Sequence, residues 1–174
     1  MKIVLLGYMA SGKTSIGKKL AKQLNLLFID LDDYIAEQEN SSVLSIFKDK
    51  GEIYFRKKEA YYLKELLKGN ENFVLALGGG TPCYGDNLNN INSNAISFYL
   101  KNSLQSTYDK LSKLKNKIKR PLIATISNAD LKEFIAKHLF ERAPFYEQAT
   151  VTIIVNGKTK KEVSKEISKK LKAN

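Results

Sequence analysis

Two residue types that carry much of enzyme chemistry are almost missing from this sequence, which contains one cysteine, Cys83, and one histidine, His138. A single cysteine excludes an internal disulfide and is typical of a reducing compartment. Thiolate or imidazole metal sites, and most Ser-His or Cys-His nucleophilic schemes, need more of these side chains. Any catalysis must therefore depend on carboxylates, lysine, arginine, hydroxyl groups and the backbone. We expect Cys83 to be an ordinary loop or core thiol and His138 to be a packed or surface residue.

Long hydrophobic runs are missing as well. The longest, such as IVLLG (residues 3–7) and FVLAL (residues 73–77), fall far short of the roughly 20 residues that a membrane-spanning helix requires. No signal peptide is visible. The 174 residues, 43% of them hydrophobic and 27% charged, match one ordinary globular domain in size and composition. We therefore expect a single domain over residues 1–174, in the cytoplasm and without a membrane partner.

Arginine is the third scarce residue type, since the 29 basic residues include only Arg56, Arg120 and Arg142. A chain that uses lysine for general surface charge should keep arginine mainly where a planar, two-pronged donor must bind a carboxylate or phosphate. The alternative is that three scattered arginines are chance survivors of a lysine-rich composition. The net charge of +11 comes mostly from dispersed lysines. Lysines are densest in two segments, residues 110–120 and 158–172. Neither segment contains a recognised nucleic-acid-binding motif or interleaved aromatic residues, so we expect no nucleic-acid partner.

Short apolar segments alternate with longer segments of helical periodicity along the chain. The pattern predicts strands at residues 2–7, 27–30, 73–78, 95–100 and 150–155. It predicts helices between them, including a polar one from Asp33 into Phe47 with Asp33 as its N-cap. Alternating strands and helices imply crossover connections, and therefore a five-stranded, mainly parallel sheet flanked by helices in a three-layer α/β sandwich. Ligands of such sheets bind beyond the carboxyl ends of the strands.

The first predicted strand is followed by GYMASGKT (residues 7–14), which matches the pattern G-x-x-x-x-G-K-[ST] between a strand and a helix. Backbone N–H groups of such a loop, together with the helix N-terminus, form a cradle for phosphate. Lys13 is expected to reach the β- and γ-phosphates of a nucleotide, and the Thr14 hydroxyl to bind Mg²⁺. We assign nucleotide contacts to the loop and the residue after it: Gly7, Ala10, Ser11, Gly12, Lys13, Thr14 and Ser15.

Two carboxylates, Asp30 and Asp32, end the second predicted strand within FIDLDDYI (residues 28–35). In an extended backbone, residues two apart point to the same side. If Asp33 is the N-cap of the next helix, the other two are available for chemistry. One could help to hold Mg²⁺ through water, and the other could accept or orient a substrate hydroxyl, as phosphoryl transfer requires.

The third predicted strand ends in three glycines, Gly78, Gly79 and Gly80, within LALGGGT (residues 75–81). Each glycine loses more backbone entropy on folding than any other residue would, so the run indicates a requirement for bare backbone. Because ligands of such sheets bind at this end, the run raises the question of what comes so close to the backbone that no side chain can be tolerated.

Six short motifs resemble, in their order, those of the shikimate kinase family: GYMASGKT, FIDLDDYI, GEIYFRKKE, LALGGGT, KRPL and ERAPFYEQA. They extend from Gly7 to about Ala149 and contain all three arginines. The resemblance implies a P-loop kinase fold and ATP-dependent, magnesium-dependent phosphorylation of the shikimate 3-hydroxyl. The products would be shikimate 3-phosphate and ADP, in chorismate and aromatic amino acid biosynthesis. It also implies a monomer whose partner is its small-molecule substrate, shikimate.

The resemblance also implies roles for individual residues on the acceptor side. Asp32 would contact the acceptor hydroxyl as orienting group or general base, and Asp30 would support Mg²⁺ through water. Arg56 and Arg142 would bind the shikimate carboxylate, with Glu59 steadying Arg56. Gly78, Gly79 and Gly80 would form the floor of the substrate site, where a bulky side chain would occupy the volume of the acceptor.

The resemblance further implies a substrate-binding region at about residues 31–62 and a mobile lid at about residues 110–125. Arg120, in the lid, would reach the transferring phosphate and would form the catalytic set together with Lys13 and Asp32.

Three positions depart from the usual pattern of that family. Lys113 stands where the family often stacks an arginine on adenine, and Lys160 falls near where a proline often borders the same base. Both are assigned to the ATP site. Ala10 stands where the family usually has glycine, which matters only if the position needs a positive φ.

Two alternatives remain open at this point. Another small-metabolite kinase with a P-loop, such as a gluconate kinase, would share the nucleotide site and would also bind a carboxylate. A P-loop nucleotide-binding or RNA-binding protein would use the lysine-rich surface and have no small-molecule acceptor.

Overall fold

Five parallel strands form one sheet in the computed structural model, which describes residues 1–113, 117 and 121–173. The strands are β1 Lys2–Leu6, β2 Leu27–Asp30, β3 Phe73–Ala76, β4 Ile96–Lys101 and β5 Val151–Ile154. Their order is β2-β3-β1-β4-β5, and every neighbouring pair is parallel. The predicted strands and the parallel sheet are confirmed. Because β1, β2 and β3 are adjacent, the residues that follow them meet at one end of the sheet.

Helices cover both faces of this sheet. They are α1 Lys13–Leu24, α2 Leu31–Gln38, α3 Val43–Lys68, α4 Asn87–Asn94, α5 Leu104–Leu111, α6 Pro121–Ala124, α7 Asn128–Tyr146 and α8 Lys160–Ala173, with a short 3₁₀ helix at Thr81–Cys83. Side chains alternate along β1. Val4 and Leu6 join a core cluster with α2, α3 and α7, whereas Ile3 and Leu5 join one with α1 and α8. Within the described ranges, no helix combines the length and apolar character needed to cross a membrane.

The chain between α2 and α3 differs from the prediction. The predicted helix from Asp33 into Phe47 is wrong, because residues 39–42 separate two helices. Asn40 has a φ of 49°, and the Ser42 side chain accepts a hydrogen bond from the backbone three residues later. A left-handed asparagine is a common helix stop, and a serine in this position is a common N-cap. The polar segment was thus correctly predicted as helical, but the stop inside it was missed.

Helix α3 contains a break at Gly51, where φ is 82° and ψ is 169°. This backbone conformation is open essentially to glycine alone. A Cβ added at Gly51 would have no heavy atom within 4 Å, so the requirement for glycine comes from the backbone and not from crowding. The break divides α3 into residues 43–50 and residues 52–68, whose relative angle is not fixed by continuous helical hydrogen bonding.

We predict that Gly51→Ala lowers the free energy of unfolding by about 1–3 kcal/mol, because alanine must adopt a strained backbone there. Urea denaturation of the purified protein measures this. Gly69→Ala is the matched control, since Gly69 has a φ of −57° and a Cβ there would make ordinary contacts at 3.5 and 3.6 Å. The control should be neutral or gain up to about 1 kcal/mol. Equal effects of the two substitutions would contradict this account of the break.

Candidate active site

A cavity of about 720 Å³ lies at the carboxyl ends of β1, β2 and β3. Residues 9–16, from the loop after β1 and the start of α1, line one side together with Asp30 and Asp32. Gly78 and Gly79 contribute to the same lining, and the remaining wall comes from α5 and from the segment joining β5 to α8. The volume is that of a small-molecule site. The cavity therefore unites the three strand ends that the sequence singled out.

The loop after β1 is folded around Lys13. The Lys13 ammonium donates to the carbonyl oxygens of Gly7 at 2.7 Å and Tyr8 at 3.0 Å. Helix α1 begins at Lys13, so its N-terminus adjoins the cavity and favours an anion there. Ala10 has a φ of 61°, a left-handed conformation that costs a residue with a side chain about 1–2 kcal/mol. The position thus does need a positive φ, and alanine adopts it here.

Asp30 joins this loop to the start of α2. Its Oδ2 accepts from the Thr14 hydroxyl at 2.8 Å, and its Oδ1 accepts from the Asp32 N–H at 3.3 Å. Asp30 is therefore the N-cap of α2, and the prediction that Asp33 fills this role is wrong. Asp32 lies in the first turn of the helix, so the extended geometry predicted for the two acids is also wrong. Both carboxylates nevertheless line the cavity.

The Thr14 hydroxyl and the Asp30 carboxylate are hard oxygen ligands of the kind that Mg²⁺ prefers. Over the ranges that the structure describes, no group of three or more His, Cys, Asp or Glu side chains could hold a metal ion. An ion beside Thr14 and Asp30 would therefore take most of its ligands from phosphate and water. That is the usual coordination of Mg²⁺ at a nucleotide, so the residues present fit the ion.

Asp32 lies in surroundings that disfavour its negative charge. Burial, followed by the negative charges of Glu59 and Asp30, raises the pKa of Asp32 to about 6, although the positive charges of Lys13 and Arg56 act in the opposite direction. A carboxylate with this pKa is mostly ionised at neutral pH, yet it accepts a proton more readily than an exposed aspartate does. Asp32 is thus suited to receive a proton from a hydroxyl group.

Arg56 is held by an ion pair with Glu59, a carboxylate that has no solvent exposure. Arg56 Nη1 donates to Glu59 Oε2 at 2.9 Å, and the Thr81 hydroxyl donates to Glu59 Oε1 at 2.7 Å. A Cβ added at Gly80 would lie 2.7 Å from Arg56 Nη2, closer than such atoms can approach. Gly80 therefore makes room for the guanidinium group, a protein contact that the sequence did not indicate.

Arg142, on α7, approaches the same glycine segment. A Cβ added at Gly79 would lie 3.4 Å from Arg142 Nη1. The Tyr146 hydroxyl, one helical turn after Arg142, donates to the Gly79 carbonyl oxygen at 2.6 Å. Among the described residues, Arg142 forms no ion pair with a carboxylate, whereas Arg56 forms two. Arg142 is therefore placed to bind an anionic group from outside the protein.

The lysine-lined end of the cavity contains one predicted residue and one that was missed. Lys160 lines the cavity, but Lys113 is exposed and does not belong to the lining. Lys110, about one helical turn earlier, does line it, and burial lowers the pKa of its ammonium group. Helical periodicity at α5 could not distinguish the two lysines because both are polar. Arg120 lies outside the described residues.

Tyr8 and His138 form a contact that the sequence did not indicate. The Tyr8 hydroxyl oxygen lies 3.0 Å from His138 Nδ1, and the two rings pack edge to face. Burial and the positive charge of Arg142, four residues further along α7, lower the pKa of His138. The contact joins the loop after β1 to the helix that carries Arg142. The signal available in the sequence was that His138 and Arg142 are four residues apart in a predicted helix, a spacing that places them on the same face.

Comparison with known proteins identifies the family. The family model described as "Shikimate kinase" matches residues 9–172. The chain belongs to the shikimate kinase family. A curated shikimate kinase of Flavobacterium psychrophilum is 47% identical over 169 residues, which cover 97% of each chain. One of Flavobacterium johnsoniae is 46% identical over 167 residues, covering 95% of this chain and 96% of the relative.

Solved structures of the family agree with the observed fold. Shikimate kinase from Bacteroides thetaiotaomicron matches with a TM-score of 0.89 at 32% identity, covering 99% of this chain and 98% of that one. Shikimate kinase from Acinetobacter baumannii, solved in complex with shikimate, matches with a TM-score of 0.87 at 29% identity over 99% of this chain and 93% of the other. The resemblance and the P-loop kinase fold expected from the motifs are confirmed. As a member of this family, the chain is a phosphotransferase that acts on a hydroxyl group and uses ATP.

We predict that Asp32→Asn stabilises the protein at neutral pH. The pKa of Asp32 rises from 3.8 to about 6 on folding, so between these pH values the folded chain binds more protons than the unfolded chain. Stability therefore falls as the pH rises through this window. The substitution removes that loss, and calorimetry should show a Tm higher by roughly 6–12 °C at pH 7.5, with little difference at pH 4.

The matched control is Asp33→Asn, which removes an exposed carboxylate from the same helical turn and should not raise the Tm. If Asp32→Asn and the parent protein had the same Tm at pH 7.5, the described electrostatic environment of Asp32 would be incorrect.

Proposed function

We propose that this chain is a shikimate kinase that transfers the γ-phosphoryl group of ATP to the 3-hydroxyl of shikimate, giving shikimate 3-phosphate and ADP in chorismate and aromatic amino acid biosynthesis. One observation carries the proposal: a phosphate-binding loop, a carboxylate with a raised pKa and two arginines meet at one end of the sheet. These groups match the two substrates, a polyphosphate and a hydroxylated carboxylate. We expect a cytoplasmic monomer without nucleic-acid or membrane partners.

On the donor side, we assign Lys13 and the N-terminus of α1 to the phosphates of ATP. The Lys13 ammonium has three N–H donors. Phosphate oxygens can accept hydrogen bonds from these donors in place of the loop carbonyl oxygens. Thr14 would hold Mg²⁺ directly and Asp30 through water, and the bound ion would neutralise negative charge on the phosphates. Lys110 and Lys160 would border the far end of the nucleotide.

On the acceptor side, we assign Asp32 to the 3-hydroxyl, which it would orient and whose proton it would accept. Arg142 and Arg56 would bind the shikimate carboxylate, because two planar donors can grip a carboxylate bidentately. The contacts of Gly79 with Arg142 and of Gly80 with Arg56 support this assignment, since they place both guanidinium groups beside consecutive residues. The N–H groups of the glycine segment would add donors to the acceptor floor.

Arg120 would provide positive charge to the transferring phosphoryl group from the proposed lid, residues 110–125. The KRPL motif supports this role. An arginine that acts in this way can contribute on the order of 10³–10⁵ in rate. The substrate-binding region proposed at residues 31–62 contains Asp32, Arg56 and Glu59, which approach one another in the folded chain.

The decisive experiment measures ADP release by the purified protein with ATP and Mg²⁺. Shikimate, gluconate, a nucleoside monophosphate and RNA are compared as acceptors. We expect strong stimulation by shikimate alone. No stimulation by shikimate over buffer would overturn the proposal, and stimulation by gluconate or RNA would point to the corresponding alternative.

We predict that the three arginines affect different kinetic parameters. Arg56→Lys and Arg142→Lys should raise the KM for shikimate about tenfold or more, because lysine cannot form two parallel hydrogen bonds to a carboxylate. Arg120→Lys should mainly lower kcat, because lysine keeps the charge but lacks the planar guanidinium group that can hydrogen-bond several oxygens of the transferring phosphoryl group. Steady-state kinetics with each substrate varied would measure this, with the exposed Lys57→Arg as control. Unchanged kinetics in all three variants would exclude the assigned roles.

We predict that Gly80→Ala raises the KM for shikimate about tenfold while the KM for ATP changes less than about twofold. The new methyl group would lie 2.7 Å from Arg56 Nη2 and must displace the guanidinium group. Gly79→Ala is the informative companion, because its nearest protein atom would be 3.4 Å away. A rise in the shikimate KM for Gly79→Ala would therefore report contact with shikimate itself. Normal shikimate kinetics in Gly80→Ala would refute the close approach of Arg56.

A further inference from the structure

Glu39, the C-cap residue of α2, carries the most heavily hydrogen-bonded carboxylate outside the cavity among the described residues. Its Oε2 accepts from the Tyr54 hydroxyl at 2.6 Å, and its Oε1 accepts from the Tyr62 hydroxyl at 2.7 Å. Lys58 Nζ lies 2.9 Å from Oε1, and Lys50 Nζ lies 3.6 Å from Oε2. The side chain is only 7% exposed. Hydrogen bonds from Tyr54, Lys58 and Tyr62 lower the pKa of Glu39 to about 2, so these contacts persist throughout the neutral pH range.

The partners of Glu39 lie on both sides of the break in α3. Tyr54, Lys58 and Tyr62 are spaced four residues apart, so they form one stripe along residues 52–68. Lys50 precedes Gly51, and its ammonium group also donates to the Tyr54 hydroxyl at 3.3 Å. Because the helix is interrupted at Gly51, its own hydrogen bonds do not fix the angle between the two parts. A single carboxylate at the end of α2 therefore contacts both parts of α3.

The two helices that meet at Glu39 also carry the acceptor-side groups. Asp32 lies in the first turn of α2, seven residues before Glu39. Arg56 lies on residues 52–68, between Tyr54 and Lys58 in sequence, and its guanidinium group affects the pKa of Asp32. The rings of Tyr34 and Tyr62 pack edge to face next to this junction, with centroids 5.9 Å apart. The placement of α2 against residues 52–68 thus sets the separation of Asp32 and Arg56.

We propose that Glu39 is a positioning residue for the acceptor: by holding residues 52–68 of α3 against α2, it fixes Arg56 relative to Asp32. This inference rests on the proposed shikimate kinase activity. Apolar packing resists the separation of two helices but tolerates sliding and rotation, whereas hydrogen bonds from three donors along one helix face to one carboxylate do not. Loss of Glu39 should therefore change the acceptor site more than it changes the nucleotide site, which is built from the loop after β1.

The test compares Glu39→Ala, Glu39→Gln and the double variant Tyr54→Phe/Tyr62→Phe by steady-state kinetics, well below the Tm of each protein. We expect Glu39→Ala to raise the KM for shikimate about tenfold and to change the KM for ATP less than about twofold. Glu39→Gln keeps the length and one acceptor oxygen, so it should restore part of the shikimate affinity. The tyrosine variant leaves Glu39 in place and should raise the same KM by about threefold.

Two controls separate positioning from general loss of stability. Ile167→Val in α8 removes a buried methyl group from the core on the other face of the sheet and should destabilise by about 0.5–1.5 kcal/mol without a selective change in either KM. Glu37→Gln alters an exposed carboxylate of α2 and should leave the kinetics unchanged.

The inference is overturned if Glu39→Ala and the tyrosine variant lower the Tm but keep the shikimate KM of the parent, as Ile167→Val should. It is equally overturned if both KM values rise together. If Glu39→Ala does not fold, the tyrosine variant and Glu39→Gln decide by the same criterion. Failure of the proposed function is a separate result, because the unmodified protein would then show no stimulation by shikimate.

Discussion

Glu59 has no solvent exposure, so its negative charge has to be compensated inside the protein. Arg56 donates to one of its oxygens at 2.9 Å and Thr81 to the other at 2.7 Å. Removing the charged partner from a buried ion pair typically costs about 3–5 kcal/mol. Because Arg56 and Glu59 belong to α3 and Thr81 follows the glycines after β3, this compensation holds the helix against the glycine segment. The position of Arg56, which we assign to the acceptor, depends on it.

The same carboxylate affects the neighbouring acid, Asp32. After burial, the charge of Glu59 is the largest influence that raises the pKa of Asp32, while Lys13 and Arg56 oppose it. Two neighbouring acids thus lie in different surroundings, which suits them to different tasks. Glu59 is paired and holds Arg56, whereas Asp32 keeps a raised pKa and faces the cavity. A raised pKa lowers folding stability at neutral pH, and such a compromise is common at functional sites, in agreement with the role that we propose for Asp32.

The glycines and lysines show how far the candidate site could be predicted. The sequence placed Gly78 to Gly80 at a strand end where ligands bind, because strand, glycines and sheet topology all follow from local patterns. It did not reveal that Gly80 makes room for the Arg56 guanidinium group, since this contact joins residues that are distant along the chain. In the same way, periodicity predicted helix α5 but not that Lys110, rather than Lys113, lines the cavity.

By itself the sequence determined the parallel sheet, the phosphate-binding loop and the family, because these depend on local periodicity and on short motifs in a fixed order. Only the tertiary structure decided that α2 begins after Asp30 and stops before Asn40. It also decided that Glu39 accepts hydrogen bonds from side chains as far as Tyr62, 23 positions along the chain. Such contacts form only when α2 and α3 pack together, and no local pattern encodes them. The phosphate-binding loop could therefore be recognised from the sequence, whereas the arrangement of Asp32, Arg56 and Glu59 was set by packing.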